Sequence, residues 1–342
     1  MAALDQITNS EIQYGKKYYT DNWEIMINKR KVVLVGTGFV GMSAAYSLIN
    51  QGGVNEMVLV DVLKDKAEGE AMDLAHGLSC APSRVDIKSG SYEECADADI
   101  VLITAGMAQK PGQTRLDLLK INAKIMADIT RNCVKAGFNG VFVVATNPCD
   151  LMTYVVGEVS GFPKERVIGS GTSLDSARLR YIVGDKLGIS PKNVHAYVMG
   201  EHGDSSFIPW SHSFIGCKSL IKELEDRGED VAILNEFYKG VQQAAYEIIN
   251  RKKATYYGVG LALAKIVKVI LNNEEEIMTV SAYLNGEYGH KGMFIGVPAI
   301  IGNMGIEEIV NVPLNDEEQK RFDYSYSLLE SMKSEIDSII KE

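Results

Sequence analysis

The chain has 342 residues, 46% of them hydrophobic, and its 35 basic and 45 acidic residues give a formal net charge of −10. This apolar content excludes a mainly disordered chain, the acidic surplus disfavours a nucleic-acid-binding protein, and the length predicts two lobes instead of one core. No apolar stretch approaches the roughly 18 residues that cross a bilayer, so we expect no membrane segment. The five cysteines are scattered without a Cys-x-x-Cys pair, which is typical of a protein of the reducing cytoplasm.

From residue 31 onward, short β-branched runs alternate with segments of helical periodicity. The predicted strands are 32–35, 57–62, 85–88, 100–104 and 141–145, and the predicted helices are 40–50, 64–77 and 116–136. Strands that alternate with helices form right-handed crossovers and a parallel sheet with helices on both faces. The first half therefore predicts an α/β, doubly wound fold.

After residue 147 the pattern is less regular and predicts a second lobe of mixed α and β structure. Helices are predicted at 174–187, 230–250, 257–271 and from 316, with extended segments at 195–198, 277–284 and 293–298. We expect the last two segments to pair as antiparallel strands of a smaller sheet. The C-terminal helix carries an apolar stripe that should face the core. The stripe comprises Leu329, Met332, Ile336 and Ile339.

The motif Gly36-Thr-Gly38-Phe-Val-Gly41 joins the first predicted strand to the first predicted helix. Such glycines permit a tight turn, the approach of a pyrophosphate and close packing of helix on strand, and the phosphates bind free N–H groups of the helix. Asp61 ends the second strand, where a carboxylate accepts hydrogen bonds from a ribose diol and repels a 2′-phosphate. The motif predicts a Rossmann fold that binds NAD rather than NADP. The expected cofactor-binding residues are Gly36, Gly38, Phe39, Val40, Gly41, Asp61, Thr104, Ala105, Gly106 and Asn147.

Four further stretches carry side chains suited to hydride transfer to a ketone, which needs a proton donor, a substrate anchor and polarisation of the carbonyl. His202 lies between glycines and acids and titrates near neutrality. Asp175 and Arg178 share one face of a predicted helix. Arg115 ends a connection that contains glycine and proline, and Asn147 follows a parallel strand, where open sheets bind ligands. Each has a plainer interpretation: a surface histidine, a surface ion pair, a solvated turn and an ordinary turn.

Taken together, these stretches resemble the lactate/malate dehydrogenase family, and within it the bacterial L-lactate dehydrogenases that fructose 1,6-bisphosphate activates. The resemblance covers about residues 31–341 and rests on GTGFVG, QKPGQTR, TNPCD, SGTSLDSARLR and GEHGDSS, in the family's order. It implies an NAD-dependent enzyme of glycolysis and fermentation that interconverts pyruvate and L-lactate as a cytoplasmic homotetramer. It also implies an NAD-binding Rossmann domain at 31–170 and an α+β catalytic domain at 171–342, with the helix at 257–271 a candidate for packing back on the first domain.

The resemblance further implies the roles of the site residues. His202 is expected to donate the proton in pyruvate reduction and to accept it in lactate oxidation, and Asp175 to orient His202 and stabilise its imidazolium form. Arg178 is expected to bind the substrate carboxylate with two hydrogen bonds. Arg115, carried in by closure of its loop, would polarise the ketone. The other expected substrate-binding residues are Gln109, Asn147 and Thr255, and no metal site is expected.

Gln109 bears on the choice of substrate. In this family its position meets the far end of the substrate, where a malate enzyme would be expected to carry arginine. A neutral glutamine would leave a second carboxylate unpaired in a dry pocket, which is costly, so lactate is predicted over malate. The alternatives left open are a malate or branched 2-hydroxyacid dehydrogenase, an NAD-using glycosidase, which would need a metal site, and a non-catalytic NAD-binding protein.

An effector site is also predicted from the resemblance. Arg180 and His195 match positions at which allosteric bacterial members bind fructose 1,6-bisphosphate across a subunit interface. A cationic pair that faces its symmetry mate would repel it, and a bound phosphate would relieve this repulsion. The alternative is a surface arginine beside a strand histidine.

Two features depart from the family. Gln113 stands where glutamate is usual, which leaves the surroundings of Arg115 more positive. The N-terminal extension at 1–30 is longer than that of bacterial relatives, and it is interpreted as a subunit arm, a disordered tail or a start assigned too far upstream.

Overall fold

Six short strands rich in valine and isoleucine form the parallel part of one sheet in the computed structural model, which describes residues 29–107 and 115–341. They are β1 (Lys31–Val35), β2 (Glu56–Val60), β3 (Asp86–Ser89), β4 (Ile100–Ile103), β5 (Val141–Val144) and β6 (Val167–Gly169). Their spatial order is β3-β2-β1-β4-β5-β6, the order of a doubly wound Rossmann sheet. The strands β1, β4 and β5 are buried along their whole length, which explains why their sequences are continuous apolar runs.

Four helices connect these strands. They are α1 (Phe39–Gln51), α2 (Lys64–His76), α3 (Arg115–Lys135) and α4 (Cys149–Ser160). The predicted strands and helices of this half are confirmed to within a few residues, but β6 and α4 were not predicted. The order of the strands reverses between β1 and β4, and a ligand is expected at the carboxyl ends of the strands beside such a reversal. The glycine motif follows β1 at this point.

The next part of the chain builds a second, smaller core. The elements of this part of the chain are α5 (Ser173–Leu187), β7 (Val194–His195), β8 (Phe214–Ile215), β9 (Lys218–Ser219), α6 (Leu220–Asp226), α7 (Ile233–Lys252) and α8 (Tyr257–Asn272). The core between α5, α6 and α7 is formed by residues such as Leu179, Val183, Leu224 and Phe237. The helix α8 instead packs on α1, where a Cβ at Gly260 would lie 2.6 Å from that of Ser43.

Three antiparallel strands extend the large sheet, so the expectation of a separate smaller sheet for 277–284 and 293–298 is wrong. They are β10 (Glu276–Asn285), β11 (Lys291–Gly302) and β12 (Gly305–Ile309). The strand β10 continues the sheet beyond β6 because Ser281 pairs with Gly169. The helix α9 (Asp316–Lys341) follows and buries Leu329, Ile336 and Ile339 as predicted. Among the described residues, no helix is long and apolar enough to cross a membrane.

Candidate active site

The glycine motif forms a cradle at the N-terminus of α1. Gly36 has φ +103°, and a Cβ there would lie 2.5 Å from the main-chain nitrogen of Ala105. A Cβ at Gly41 would lie 2.1 Å from the carbonyl oxygen of Gly36, so only glycine lets the helix start this close to the strand. Gly38, in contrast, has open space around it and caps the helix without a side-chain hydrogen bond. The main chain is therefore exposed where a pyrophosphate would bind.

Asp61, directly after β2, is held in place by its neighbours. Its Oδ2 accepts hydrogen bonds from the main-chain N–H and the hydroxyl of Thr37 at 2.7 and 2.9 Å, and its Oδ1 accepts one from the N–H of Leu63 at 3.0 Å. Burial by itself raises the pKa of Asp61, but these hydrogen bonds and Lys66 hold it below its ordinary value. The carboxylate is thus ionised, and Oδ1 keeps a lone pair for a ribose hydroxyl. Asp61, Gly36 and Gly38 line a cavity of about 560 Å³, and together they fit an adenine dinucleotide.

The segment after β4 closes the other side of this cavity. The Oγ1 of Thr104 donates to the carbonyl of Gly36 at 2.7 Å, and Ala105 accepts a hydrogen bond from Thr146 at 2.6 Å. Asn122, buried on α3, accepts from the N–H of Met107 at 2.8 Å and donates to the carbonyl of Asn147 at 2.8 Å. Asn122 was not predicted.

Asn122 therefore ties two predicted parts of the site together. The available sequence signal was one polar residue on the apolar face of a helix, between the buried Leu119, Ala123 and Met126.

The structure brings Asp175, Arg178 and His202 together. The Oδ2 of Asp175 is 2.7 Å from Nδ1 of His202, and its Oδ1 accepts a hydrogen bond from Nη1 of Arg178 at 2.7 Å. Asp175 is buried and His202 keeps 27% of its side chain exposed. The helix α5 thus presents one carboxylate to both a histidine and an arginine.

Charge and burial act in opposite directions on this pair. Burial by itself lowers the pKa of His202, but the adjoining Asp175 carboxylate raises it above its ordinary value. Burial by itself raises the pKa of Asp175, but His202 and Arg178 hold it below its ordinary value. The arrangement favours an imidazolium paired with a carboxylate, and the imidazolium is the form that can donate a proton.

The main chain around His202 is anchored on several sides. Met199 and Phe207 exchange main-chain hydrogen bonds of 2.8 and 2.9 Å that close the loop, and Gly200 bonds with Gly296 of β11. The N–H of His202 donates to Oδ2 of Asp150 on α4 at 2.7 Å. Asp150 was not singled out from the sequence, although it stands in the TNPCD motif.

A cavity of about 410 Å³ opens beside His202. Asn147 lines it, as predicted for a residue at the carboxyl end of β5, together with apolar side chains of Leu118, Leu151 and Met332. A small, mostly apolar cavity with a few convergent polar groups is typical of a site for a small organic molecule.

The other predicted residues lie outside this cavity or outside the described residues. Arg178 and Arg180 line a neighbouring groove of about 810 Å³ between α5, α7, α8 and β10, and Thr255 is half-buried between α7 and α8. The exposed His195 lies on β7. Gln109, Gln113 and the side chain of Arg115 fall outside the described part, as do residues 1–28 of the N-terminal extension.

Comparison with known proteins agrees with this geometry. The model of the lactate/malate dehydrogenase NAD-binding domain matches residues 30–169, and that of the lactate/malate dehydrogenase alpha/beta C-terminal domain matches residues 172–341. The chain is 54% identical over 303 residues to L-lactate dehydrogenase 2 of Bacillus anthracis, covering 87% of this chain and 96% of the relative. It is 53% identical over 300 residues to L-lactate dehydrogenase 1 of the same species, with the same coverage.

Solved structures give the same result. A lactate dehydrogenase from a Medee basin deep-sea metagenome library superposes with a TM-score of 0.88 at 48% identity, covering 90% of this chain and 98% of that one. The minor L-lactate dehydrogenase of Enterococcus mundtii, in its ligands-bound form, superposes with a TM-score of 0.88 at 49% identity, covering 91% and 98%. Its ligands-unbound form gives 0.83, so the described arrangement is nearer to the ligands-bound form.

Proposed function

The chain belongs to the lactate/malate dehydrogenase family and has the activity of an NAD-dependent L-lactate dehydrogenase, and from this premise we propose that His202, Asp175, Arg178 and Arg115 carry its chemistry. The reaction interconverts pyruvate and L-lactate, and NADH, when bound, supplies the hydride. The malate alternative is not favoured, because the curated relatives at 53–54% identity are L-lactate dehydrogenases.

In this proposal His202 moves the proton. Its Nδ1 is engaged by Asp175, which leaves Nε2 to donate to the pyruvate oxygen during reduction and to accept the proton during oxidation. Asp175 keeps the ring oriented and stabilises the imidazolium form. Arg178 binds the substrate carboxylate with the N–H groups that it does not commit to Asp175.

The proposed substrate site is completed by Arg115, Gln109, Asn147 and Thr255. Arg115 polarises the ketone as negative charge develops on its oxygen, and exclusion of water strengthens that interaction. Asn147 hydrogen-bonds near the reacting centre, and Thr255 lines the pocket beside the substrate.

The buried contact between Asp175 and His202 carries this proposal. A carboxylate 2.7 Å from an imidazole beside an open cavity is the pairing that a histidine acid–base residue needs. The glycine cradle supports the proposed cofactor residues, with Gly36, Gly38 and Gly41 at the pyrophosphate. Asp61 would contact the ribose. The rest of the proposed cofactor set is Phe39, Val40, Thr104, Ala105, Gly106 and Asn147.

His202→Asn and Asp175→Asn test the proposal. His202→Asn should lower kcat for pyruvate reduction by two or more orders of magnitude, the usual range for an acid–base residue.

Asp175→Asn should lower the pKa of His202. The alkaline limb of the pH profile of pyruvate reduction should then move to lower pH, since reduction needs the protonated ring. NADH binding, followed by fluorescence, should stay within about twofold in both variants. A His202→Asn enzyme that turns over pyruvate at the normal rate would contradict the proposed role.

The same proposal assigns different roles to the two domains of the chain. Residues 31–170 would hold the cofactor and residues 171–342 would supply most of the catalytic groups, with 1–30 as an extension. The buried α1–α8 contact around Gly260 supports a firm connection between the two parts.

Regulation and assembly are proposed on the positions of Arg180 and His195. The Nε of Arg180 donates to the carbonyl of Ala196 at 3.3 Å, and its guanidinium lies 5.2 Å from the ring centre of Tyr197. Arg180 is thus held beside the strand that exposes His195, which supports a shared phosphate site. We infer that fructose 1,6-bisphosphate binds there between subunits of a cytoplasmic homotetramer that serves glycolysis and fermentation.

A further inference from the structure

Asp150 is a buried carboxyl that no step above uses. It is the second residue of α4 and is 2% exposed. Its Oδ2 accepts the main-chain N–H of His202 at 2.7 Å, and its Oδ1 accepts the hydroxyl of Ser281 on β10 at 2.5 Å. A buried carboxylate that accepts two hydrogen bonds fixes whatever donates them, because breaking either bond leaves a buried polar group unsatisfied. One of these donors is the main chain of the proposed proton donor.

The charges around His202 give Asp150 a second effect. From α5 the ring faces Asp175 and Arg178, and Arg178 lowers the pKa of His202 whereas Asp150 raises it. Glu201 and Asp204 of the loop line the same cavity as His202, and β10 contributes the neutral Ser281.

Asp150 is ionised at neutral pH. Burial raises its pKa to about 6, against the hydrogen bonds from Ser281 and His202. The carboxylates of Asp150 and Asp175 then both favour a protonated His202, against the opposing charge of Arg178. Without Asp150, one fewer negative charge stabilises the protonated ring.

We propose that Asp150 is a positioning residue that fixes the main chain of His202 and places a second carboxylate beside the ring, where it favours the imidazolium form. This inference rests on the proposed role of His202 as acid and base. Asp175 holds the ring from one side through Nδ1, and Asp150 holds the main chain from the other.

Asp150→Asn separates charge from geometry. The amide oxygen still accepts the N–H of His202, and the amide nitrogen still bonds to the hydroxyl of Ser281. The alkaline limb of kcat/KM for pyruvate reduction should move down by about one pH unit, because a charge at this range in a partly buried site is worth about that much. The acid limb of lactate oxidation, which needs the neutral ring, should also move down, but by less, because Asp150 is already partly protonated near pH 6 in the wild type. Reduction thus weakens near pH 8 while oxidation strengthens near pH 6, an opposition that general structural damage would not produce.

A second readout does not depend on turnover. Diethyl pyrocarbonate modifies the neutral imidazole, so the pH dependence of inactivation reports the ionisation of His202 directly. Its midpoint should fall with the kinetic limbs in Asp150→Asn. Ser281→Ala removes one donor to Asp150 and makes its ionised form less stable, so this variant should shift the midpoint in the same direction by a smaller amount.

Asp99→Asn is the matched control. Asp99 is half-buried, accepts the main-chain N–H of Lys31 at 2.8 Å and has a pKa raised by burial. It precedes β4 and so lies at the amino ends of the parallel strands, whereas the site lies at their carboxyl ends. Its variant should keep the wild-type limbs.

Three outcomes decide the matter. A folded Asp150→Asn enzyme with unshifted limbs in both directions would overturn the inference. Should that variant fail to fold, an unshifted inactivation midpoint in Ser281→Ala would overturn it equally. Normal turnover in His202→Asn would instead overturn the proposed acid–base role, so the two failures are distinguishable.

Discussion

At the scale of single residues, we propose that substrate choice depends on the pairing of charges between substrate and enzyme. Arg178 is proposed to take the carboxylate that pyruvate and oxaloacetate share, whereas Gln109 offers no charge to the second carboxylate of oxaloacetate. Gln109→Arg should therefore raise kcat/KM for oxaloacetate and lower it for pyruvate, each by about tenfold or more, since truncating or adding one partner of a buried ion pair is worth several kcal/mol. Steady-state assays of NADH oxidation with both substrates measure the change.

Gln113→Arg is the control for this substitution, because it adds the same charge to the same connection at a position not proposed to touch the substrate. It should leave the ratio of the two kcat/KM values within about threefold of wild type. A wild-type enzyme that prefers oxaloacetate would contradict the part assigned to Gln109.

The sequence pointed to Asp175 and His202, but not to Asn122, nor to Asp150, although Asp150 stands in a motif. Asp175 and His202 are 27 residues apart in the chain, and their contact was implied by the family resemblance, not by spacing. Asp150 and Asn122 were missed because their importance lies in main-chain hydrogen bonds to distant segments. Such bonds exist only once α3, α4 and the loop of His202 are packed together.

At the scale of elements, the turn from β1 into α1 separates the demands of folding from those of binding. A Cβ at Gly41 would overlap the carbonyl of Gly36, whereas Cβ atoms at Gly38 and Gly69 would meet nothing within 4 Å. Gly41→Ala should therefore cost about 2–4 kcal/mol of unfolding free energy, because the overlap is with main-chain atoms. Gly38→Ala should keep the stability within about 0.5 kcal/mol but weaken NADH binding about tenfold or more, since the methyl group lies where the pyrophosphate approaches.

Gly69→Ala in the exposed middle of α2 is the matched control, expected to add about 0.5–1 kcal/mol and to leave NADH binding unchanged. Urea unfolding and fluorescence titration with NADH measure both quantities for the three variants. The argument for the cradle fails if Gly38→Ala binds NADH as tightly as the wild type.

The strands and helices whose sequences show a clear hydrophobic period were the ones predicted correctly. The parallel strands β1 to β5 and the helices α1, α2 and α3 were found because apolar runs and one-sided helices leave clear patterns, whereas the three-residue strand β6 was not predicted. The helix α4 escaped because ten of its twelve residues are buried, so it has no polar face to mark a helical period. The strands β10 and β11 were found, but their sheet was not, because the joint depends on one pairing between Ser281 and Gly169 that no local pattern encodes.

At the scale of the whole molecule, the proposed catalytic residue His202 lies where two hydrophobic cores meet. Met199 and Phe207 pack in the large core built on the nine-stranded sheet, whereas Val198 and Ile208 pack in the smaller core under α5 and α7. On each side of the His202 loop, one residue is therefore buried in the large core and its chain neighbour in the smaller core. The His202–Asp175 contact of 2.7 Å is thus formed by the protein's own groups, as the proposed acid–base role requires.

The groove that Arg180 lines is the surface on which the proposed assembly can be tested. Tyr181, Leu261 and Ile277 are 62%, 57% and 41% exposed, and all three line the groove of about 810 Å³. A contiguous apolar surface of this kind in water usually marks a protein interface. Because Arg180 lines the same groove, a phosphate bound there would act on the proposed subunit contact.

Leu261→Asp should therefore reduce the assembly, measured by sedimentation velocity, because it buries an unpaired carboxylate in the interface.

Fructose 1,6-bisphosphate should shift the wild-type enzyme to the larger species and lower its pyruvate KM by about fivefold or more, a typical allosteric coupling. Arg180→Gln should lose both responses while keeping kcat at saturating pyruvate. Met304→Asp, an exposed apolar site in the turn between β11 and β12, should behave as wild type. If Leu261→Asp sediments unchanged, this groove is not the interface, and if the bisphosphate alters neither size nor KM, Arg180 and His195 do not form an effector site.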